Sequence, residues 1–570
     1  MFLPTTLQEL ERLGWDSLDV ILVTGDSYID SPFIGTAVIG KLLVQAGYRV
    51  GVIAQPDTTS DQDIGRLGEP ALFWGVTAGS IDSMVANYTA LKKKRKSDDY
   101  TPGGVNNRRP DRATIVYTNL IRRFSKRINP HSRVRPIVLG GIEASLRRVA
   151  HYDFWSDRVR GSVLLDAKAD YILYGMAEKA VLELAACLRA GGDPNGIRGL
   201  CYISKEKPAG YLELAPYETV AQDKLAFIEM FHTFYQNNDP LNAKGLCQKH
   251  GDRYLVQNPP ALYQTQAELD AVYALDFKRA QHPYYEDQGP VRALETIRFS
   301  ISTHRGCYGE CNFCAIAVHE GRTVRWRSPE SILAEAGQLT GHPEFKGYIQ
   351  DLGGPTANMY GFECAKKLSS GSCPKKRCLY PTICPLLKIT HRPQVDLLKQ
   401  VRQLKGIKKV FVASGIRYDM VFGDAGCGDE YLRELVEQHV SGQLKVAPEH
   451  TEDHVLDKMG KPGKASLLNF KKRFDELSRS AHKDQFLTYY MIAAHPGCSE
   501  QDMQRLKSFA SQKLQVNPEQ VQIFTPTPST YSSLMYYTEM DPFTRQPILV
   551  EKDPRRKQRQ KDVLTQKRSS

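Results

Sequence analysis

The residues best suited to chemistry lie on one short stretch, Arg305-Gly306-Cys307-Tyr308-Gly309-Glu310-Cys311-Asn312-Phe313-Cys314, where three cysteines are spaced C-x3-C-x2-C. Three thiolates on one loop can hold three irons of a cubane iron–sulfur cluster. Such clusters normally take four cysteines, so a three-cysteine loop leaves one iron open. An open position separates a catalytic metal centre from a closed structural one. The competing reading is a Cys3His zinc site using His319, but zinc sites more often pair C-x2-C units and no partner pair follows. Four further cysteines, Cys364, Cys373, Cys378 and Cys384, are spaced C-x8-C-x4-C-x5-C in a stretch bearing Pro374, Pro381 and Pro385. The alternatives there are an auxiliary iron–sulfur cluster, a structural zinc, or free thiols. Seven of the 12 cysteines fall between Cys307 and Cys384. Local clustering points to metal or redox chemistry in a reducing compartment, because disulfide proteins scatter their pairs. Cys187, Cys201, Cys247, Cys427 and Cys498 are isolated and read as ordinary packing.

The elements around the first loop alternate strand and helix. Apolar strand patterns occur at 296–303, 347–352, 409–414, 444–447, 486–493 and 521–524, with helical periodicity between most of them at 329–339, 395–404, 430–439 and 465–477. Ser328 followed by Pro329 is a helix start: a capping hydroxyl, then proline in the first turn. Six such units predict a partial (βα)6 TIM-like barrel over 296–540, with a Cys-rich insert at 364–384 and the functional residues on the loops after the strands. Ahead of it, 19–25, 36–47 and 49–55 form a strand–helix–strand unit. Further strands are expected at 72–76, 115–118, 136–140 and 171–174, and a helix at 178–189. The fold class is therefore α/β: an open, doubly wound N-terminal domain over 1–205, then the barrel. Residues 206–295 read as a connector with a helix at 225–235, and 541–570 as a basic, disordered tail.

The three-cysteine loop after the first barrel strand, with an aromatic residue before its last cysteine, resembles the radical S-adenosylmethionine (SAM) superfamily. The resemblance implies that Cys307, Cys311 and Cys314 ligate one [4Fe-4S] cluster, whose open iron chelates SAM. Reductive cleavage of SAM would then yield a 5′-deoxyadenosyl radical acting on a substrate. It also implies that Phe313 lies near the adenine and that Gly353 and Gly354, in Gly353-Gly354-Pro355-Thr356, contact the SAM amino group through backbone. Pro355 replaces the superfamily's usual acidic residue there. Ser414 and Arg417 fall where ribose or carboxylate contacts are expected, and His495-Pro496-Gly497 resembles the turn near the adenine. A reductant such as flavodoxin or ferredoxin is implied as a partner. The runs RGCYGECNFCAIAVHEGR, DLGGPTANMYG, LKVAPEHTEDHVLDKMGKPG, MYYTEMDPFT and GDSYIDSPFIG resemble the YgiQ-type proteins of the UPF0313 family. Glu449 or His450 is a candidate general base or hydrogen donor. The N-terminal domain resembles the cobalamin-binding domains of related enzymes, but their D-x-H-x-x-G signature is here Asp30-Ser31-Pro32-Phe33-Ile34-Gly35. Proline cannot ligate cobalt, so the expectation is a cobalamin-domain-like fold in which cobalamin itself is unlikely.

Charge bounds the partners. Across 570 residues, 76 Lys+Arg against 64 Asp+Glu leave +12. Residues 91–135 alone carry +11 and 551–570 carry +5, so the remainder is −4. Lys92-Lys93-Lys94-Arg95-Lys96, with Tyr100, Tyr117 and Phe124 as stacking candidates, motivates an alternative: an RNA-binding iron–sulfur protein without turnover, or a radical RNA-modifying enzyme. No RNP motif or KH GxxG core accompanies it. No apolar run approaches the roughly 20 residues of a membrane span. Nor is there a basic n-region followed by an apolar core at the N-terminus. The expected location is the cytoplasm, without a membrane partner.

Overall fold

The structure is a computed structural model, and it describes residues 1–131 and 134–565. The chain divides into two compact units, one of residues 1–264 and 271–298, the other of residues 265–270 and 299–570.

The first unit is built on one nine-stranded sheet. Its strands are β1 Val20–Thr24, β2 Val50–Ala54, β3 Phe73–Thr77, β4 Ile137–Gly140, β5 Tyr171–Leu173, β6 Leu200–Ser204, β7 Leu212–Leu214, β8 Leu246–His250 and β9 Arg253–Gln257, in the order β7-β8-β9-β6-β5-β4-β3-β1-β2. The β2-β1-β3-β4-β5 run is parallel, with register Val20↔Val50 and Val20↔Phe73. Every residue of β1 and β2 is buried, as expected for strands covered by helices on both faces. Among those helices are α1 Gly35–Gln45, α2 Ala113–Ile128, α3 Gly141–Leu146 and α4 Glu178–Arg189. The chain reverses direction across the sheet between β1 and β3, the place where open α/β sheets leave a crevice at their carboxyl ends.

Two expectations fail here. The strand expected at 115–118 lies inside α2. Its β-branched run is short, and burial recurs at Ala113, Tyr117, Leu120, Ile121 and Phe124, a helical period that overrides local strand propensity. The expected connector at 206–295 contributes β7, β8 and β9 to the sheet. Gly251-Asp252 turns β8 back on β9 as an antiparallel hairpin, and β9 pairs with β6. The helix expected at 225–235 is present as α5 Lys224–Gln236.

Six of the strands described in the second unit follow one another in sequence order as the barrel staves. They are β10 Ser300–Ser302, β11 Asp351–Gly353, β12 Lys409–Val410, β13 Gln443–Glu449, β14 Phe486–Ala493 and β15 Val521–Ile523. β10 pairs with β11, and β13 with β14 and β14 with β15, all parallel. β11 reaches the β12 segment through Leu352 N to Phe411 O at 2.9 Å. That segment reaches β13 through a parallel bridge, Ile416 to Val446. Ile301, Leu352, Val410, Val446, Met491 and Val521 line the shared core with α6 Pro329–Thr340, α7 Arg392–Gln403, α8 Gly428–Glu434 and α9 Lys464–Ser480. Ser328 caps α6 by accepting from Ser331 N at 3.1 Å. This is the partial barrel expected from the sequence.

The tail expected to be disordered contains a helix, α10 Pro554–Thr565, with Lys557, Gln560 and Leu564 buried. Gln560 Oε1 accepts from Ala494 N at 3.0 Å and Lys557 Nζ donates to the Tyr536 hydroxyl at 2.7 Å, so three residues at helical spacing dock a charged segment on the barrel. Residues 566–570 of that tail lie outside the described residues. Among the described residues, no helix is long and apolar enough to cross a membrane.

Candidate functional site: a three-cysteine loop at the barrel strand ends

The loop after β10 is held from several sides. Gly306 has φ +85 and its N donates to Glu320 Oε2 at 3.0 Å. A Cβ there would meet the Thr323 carbonyl at 2.5 Å, so glycine is needed both for conformation and for space. Glu310, at φ +45, is buried against Arg322, with Nε 2.6 Å from Oε1. The same guanidinium donates to the carbonyls of Cys373 at 3.1 Å and Lys376 at 3.3 Å. Arg377 donates to Asn312 Oδ1 at 2.7 Å and to Glu310 O at 3.2 Å. The Cys-rich segment therefore braces the three-cysteine loop through Arg377 and two of its own carbonyls.

The three thiols are free and half-buried. Burial raises the Cys307 and Cys314 thiols above their ordinary value. Around the sulfurs are groups that offset thiolate charge. Gly309 N is 3.3 Å and Thr356 Oγ1 3.5 Å from Cys307 Sγ, and Arg417 Nη1 is 3.8 Å from Cys311 Sγ. A Cβ on Gly309 would sit 3.3 Å from the Cys307 sulfur and 3.7 Å from that of Cys311, so glycine keeps the space between two sulfurs clear. These features suit an anionic iron–sulfur cluster. Among the described residues the set of ligand atoms all within 4.8 Å of one another is Glu452, His454 and Asp502. Neither the first three cysteines with His319 nor the later four form such a set, so neither is gathered as tightly as a single tetrahedral zinc requires. Cys364, Cys378 and Cys384 pack, as does Cys307, with Tyr308, Phe362, Leu379 and Met420 in one apolar cluster.

The other expected residues converge unevenly. Gly353 ends β11 and Gly354 follows it. A Cβ on Gly353 would meet Ser414 Oγ at 2.9 Å, and one on Gly354 would meet the His304 ring at 2.5 Å. Ser414 gives its hydroxyl and backbone N to Asp351, leaving that hydroxyl as a brace between adjacent strand ends. Arg417 is clamped by Asp419, Nε to Oδ1 at 2.8 Å and Nη2 to Oδ2 at 2.6 Å, which aims Nη1 at Cys311. Phe313 stands edge-on to His495, with centroids 6.3 Å apart, and His495 Nε2 pairs with Ser532 Oγ at 2.7 Å. His450 lies 3.5 Å from the Cys498 sulfur, and burial pushes it down to about 3.

Glu449 differs from all of these. It ends β13 at a bulge with φ +68 and is 9% exposed. Its backbone pairs with Met491, and among the described residues its carboxylate has no hydrogen-bond or ion-pair partner. Burial raises its carboxyl above the usual range, while the field of Lys461 opposes the rise. Tyr418 feels the charges of Asp419, Arg417, Glu449 and Cys311 together, so all four bear on one place. The carboxylate thus stands at a barrel strand's carboxyl end, where the residues that act in such folds are placed. Sequence reasoning missed Arg322, Arg377 and Asp419, although Arg322 falls within the first quoted motif.

In the first unit, polar residues beyond the strand ends at the sheet reversal pair with one another. Asp26, just beyond β1, accepts from Arg109 Nη2 at 2.7 Å and Ser80 N at 2.6 Å, and Arg109 also pairs with Asp98 at 3.1 Å. Gln55 spans from Gly25 O to Thr101 Oγ1. Asp30, first residue of the degenerate cobalamin signature, is occupied by Lys41 at 3.1 Å and Lys278 N at 2.9 Å. These residues engage one another within the chain at that strand end. They also bear on the RNA alternative. Tyr117 and Phe124 are buried and Arg109 is a buried counter-ion, so three of the segment's cationic and stacking candidates cannot reach a nucleic acid.

Residues 2–300 match the radical SAM N-terminal family, and residues 301–510 match the radical SAM superfamily. A UPF0313 protein of Fusobacterium nucleatum is 57% identical over 569 residues, spanning 100% of this chain and 99% of the relative. The chain belongs to the UPF0313 family. A second UPF0313 protein, of Thermotoga petrophila, is 48% identical over 572 residues, with 100% and 99% covered. Among solved structures, the radical S-adenosylmethionine methyltransferase TsrM from Kitasatospora setae, with cobalamin and [4Fe-4S] cluster bound, is 15% identical at a TM-score of 0.48 and covers 90% of this chain and 77% of that one. Membership of the radical SAM superfamily implies a [4Fe-4S] cluster and SAM for this UPF0313 protein.

Proposed function

We propose that this UPF0313 protein is a radical SAM enzyme whose cluster is ligated by Cys307, Cys311 and Cys314. The observation that carries the reading is the Arg417–Asp419 clamp, which aims a buried cation at the sulfur of a three-cysteine loop at the carboxyl ends of a partial barrel. When bound, such a cluster supplies the electron that cleaves SAM to methionine and a 5′-deoxyadenosyl radical, which takes a hydrogen atom from substrate. The chain's own residues shape the site around it. Gly309 keeps the sulfurs accessible, Gly353 and Gly354 offer backbone close to His304 and Ser414, and Glu449 presents a carboxylate suited to accepting hydroxyl or ammonium donors. The N-terminal unit works without a corrinoid in this reading, supported by Pro32 and by the Asp26–Arg109 pair in the crevice.

The test is anaerobic reconstitution followed by incubation with SAM and dithionite. Expected are about four irons per chain and formation of 5′-deoxyadenosine. Both should be lost in Cys311→Ala. A fully loaded cluster that leaves SAM intact would refute the reading. Corrinoid absorbance that survives desalting would refute the cobalamin-free part alone.

A further inference from the structure

The Cys-rich segment that braces the three-cysteine loop turns a cationic face to solvent. Residues 364–388 hold six Lys+Arg and no Asp or Glu. The side toward the barrel is fixed. Cys364, Leu379 and Leu387 belong to the apolar cluster against which Cys307 packs. Lys367 is buried and pairs with Glu363 at 3.3 Å, and Arg377 is engaged by Asn312 and Glu310 O of the loop. The other four cations, Lys366, Lys375, Lys376 and Lys388, are exposed and make no ion pair among the described residues.

Neighbouring acids do not cancel these lysines. The carboxylates whose charge reaches Cys378 and Tyr380 of the segment are Glu310, Glu363, Asp457 and Asp541. Glu310 pairs with Arg322 at 2.6 Å and Glu363 with Lys367, while Lys458 lies 3.0 Å from Asp457 and 2.7 Å from Asp541. With Arg377, whose charge also reaches Tyr380, these acids are matched one for one by cations other than the exposed lysines. The surplus positive charge is therefore the lysines' own. Leu368 and Leu386, 44% and 56% exposed, stand two residues from Lys366 and Lys388. A docking protein finds there apolar area to bury and a charge to steer by. A nucleic acid finds no exposed ring on which to stack a base: Tyr380 is half-buried and gives its hydroxyl to Asp457.

We propose that this face docks an acidic one-electron carrier protein that reduces the cluster. The inference rests on the enzyme reading above, which requires an external electron, and deepens it by saying where the donor sits. Proximity favours this face over the basic stretch of the first unit, because the segment touches the three-cysteine loop directly through Arg377 and shares an apolar cluster with Cys307. The electron leaves the reduced carrier, which is thereby oxidised, for the bound cluster, and no bond or proton changes at the segment.

Binding is read by biolayer interferometry on the immobilised full chain with two acidic carriers, a flavodoxin and a ferredoxin. Carrier is supplied up to about 1 mM, because electron-transfer interfaces are small and weak. At least one carrier is expected to bind, and more weakly as salt rises from about 0.05 M to about 0.5 M, since the reach of exposed charge shrinks. Lys366→Glu/Lys375→Glu/Lys388→Glu is expected to weaken binding by about tenfold or more, because like charges then face one another. These positions are exposed and unpaired, so the variant should melt with wild type. Lys93→Glu/Lys94→Glu/Lys96→Glu, in the first unit, controls for net charge and is expected to bind as wild type does. After reconstitution, the segment variant should form 5′-deoxyadenosine at the wild-type rate under dithionite and about tenfold slower or more with reduced carrier. Absence of binding by either carrier, binding indifferent to salt, equal loss in both triple variants, or equal slowing under dithionite overturns the proposal. So does a single-stranded polyuridylate that binds as tightly as the carriers and is lost in the same segment variant, the behaviour of a general polyanion face. Carriers that fail to bind while dithionite still cleaves SAM strike this inference alone, whereas wild type that leaves SAM intact under dithionite refutes the enzyme reading and this inference with it.

Discussion

Replacing Arg322 by methionine keeps most of its apolar stem and removes its charge. The guanidinium is 5% exposed and Glu310 2% exposed, at 2.6 Å, with two carbonyls of the Cys-rich segment as further acceptors. The variant strands a buried carboxylate between Cys307 and Cys311, and breaking one side of a buried pair costs about 3–5 kcal/mol. At roughly 2–4 °C per kcal/mol for a unit of this size, the melting temperature of the barrel transition should fall by about 6–20 °C. Added salt should change that loss little, because the pair is not exposed to screening. The local consequence is specific: reconstituted Arg322→Met should release iron to a ferrous chelator faster than wild type. In the double variant Glu310→Gln/Arg322→Met no buried charge is left alone, so most of the stability should return. A double-mutant cycle reads the coupling directly. A single variant that melts within about 0.5 kcal/mol of wild type, the range of surface substitutions, and holds iron equally well would refute the bracing role.

Three further outcomes follow from the same geometry. Glu449→Gln should stabilise the cluster-free protein at neutral pH: a carboxyl with a raised folded pKa favours the folded state below its unfolded value of about 4.3 and loses that contribution as pH rises. The difference between variant and wild type in urea melts should shrink toward pH 4.3 and vanish below it, while 5′-deoxyadenosine formation falls. Asp419→Asn loosens the Arg417 clamp and should lower the rate of SAM cleavage with iron content retained, measured by single-turnover assay. Burial raises the Cys307 and Cys314 thiols, so cluster loading releases protons and should accelerate as pH rises, checked by stopped-time iron incorporation across a pH series.

The chemistry was more legible in the sequence than its support. Three thiols within eight residues announce themselves, and so do strand runs such as 486–493, because both signals are local. The bracing of the loop is not local. Arg322 meets carbonyls some 51 and 54 residues away, and Arg377 meets Asn312 at a separation of 65, pairings that no spacing rule exposes. The basic segment misled for the converse reason. Counting charges treats every arginine as solvated, yet Arg109 is a counter-ion inside the first unit. Residues 115–118 and 554–565 failed through burial patterns longer than the windows that suggested strand and disorder.

The Asp26–Arg109–Asp98 pairing has a consequence for redesign. Arg109 reaches Asp26 from 83 residues along the chain, so the loop that carries it is part of the sheet's own tertiary structure. A cofactor pocket grafted onto this sheet from a sister domain would first have to dismantle that pairing and leave three buried charges without partners. Loop swaps at 78–112 should therefore show up as insoluble protein before they show up as altered binding, and a directed-evolution campaign for a new ligand there has to begin by neutralising all three charges together.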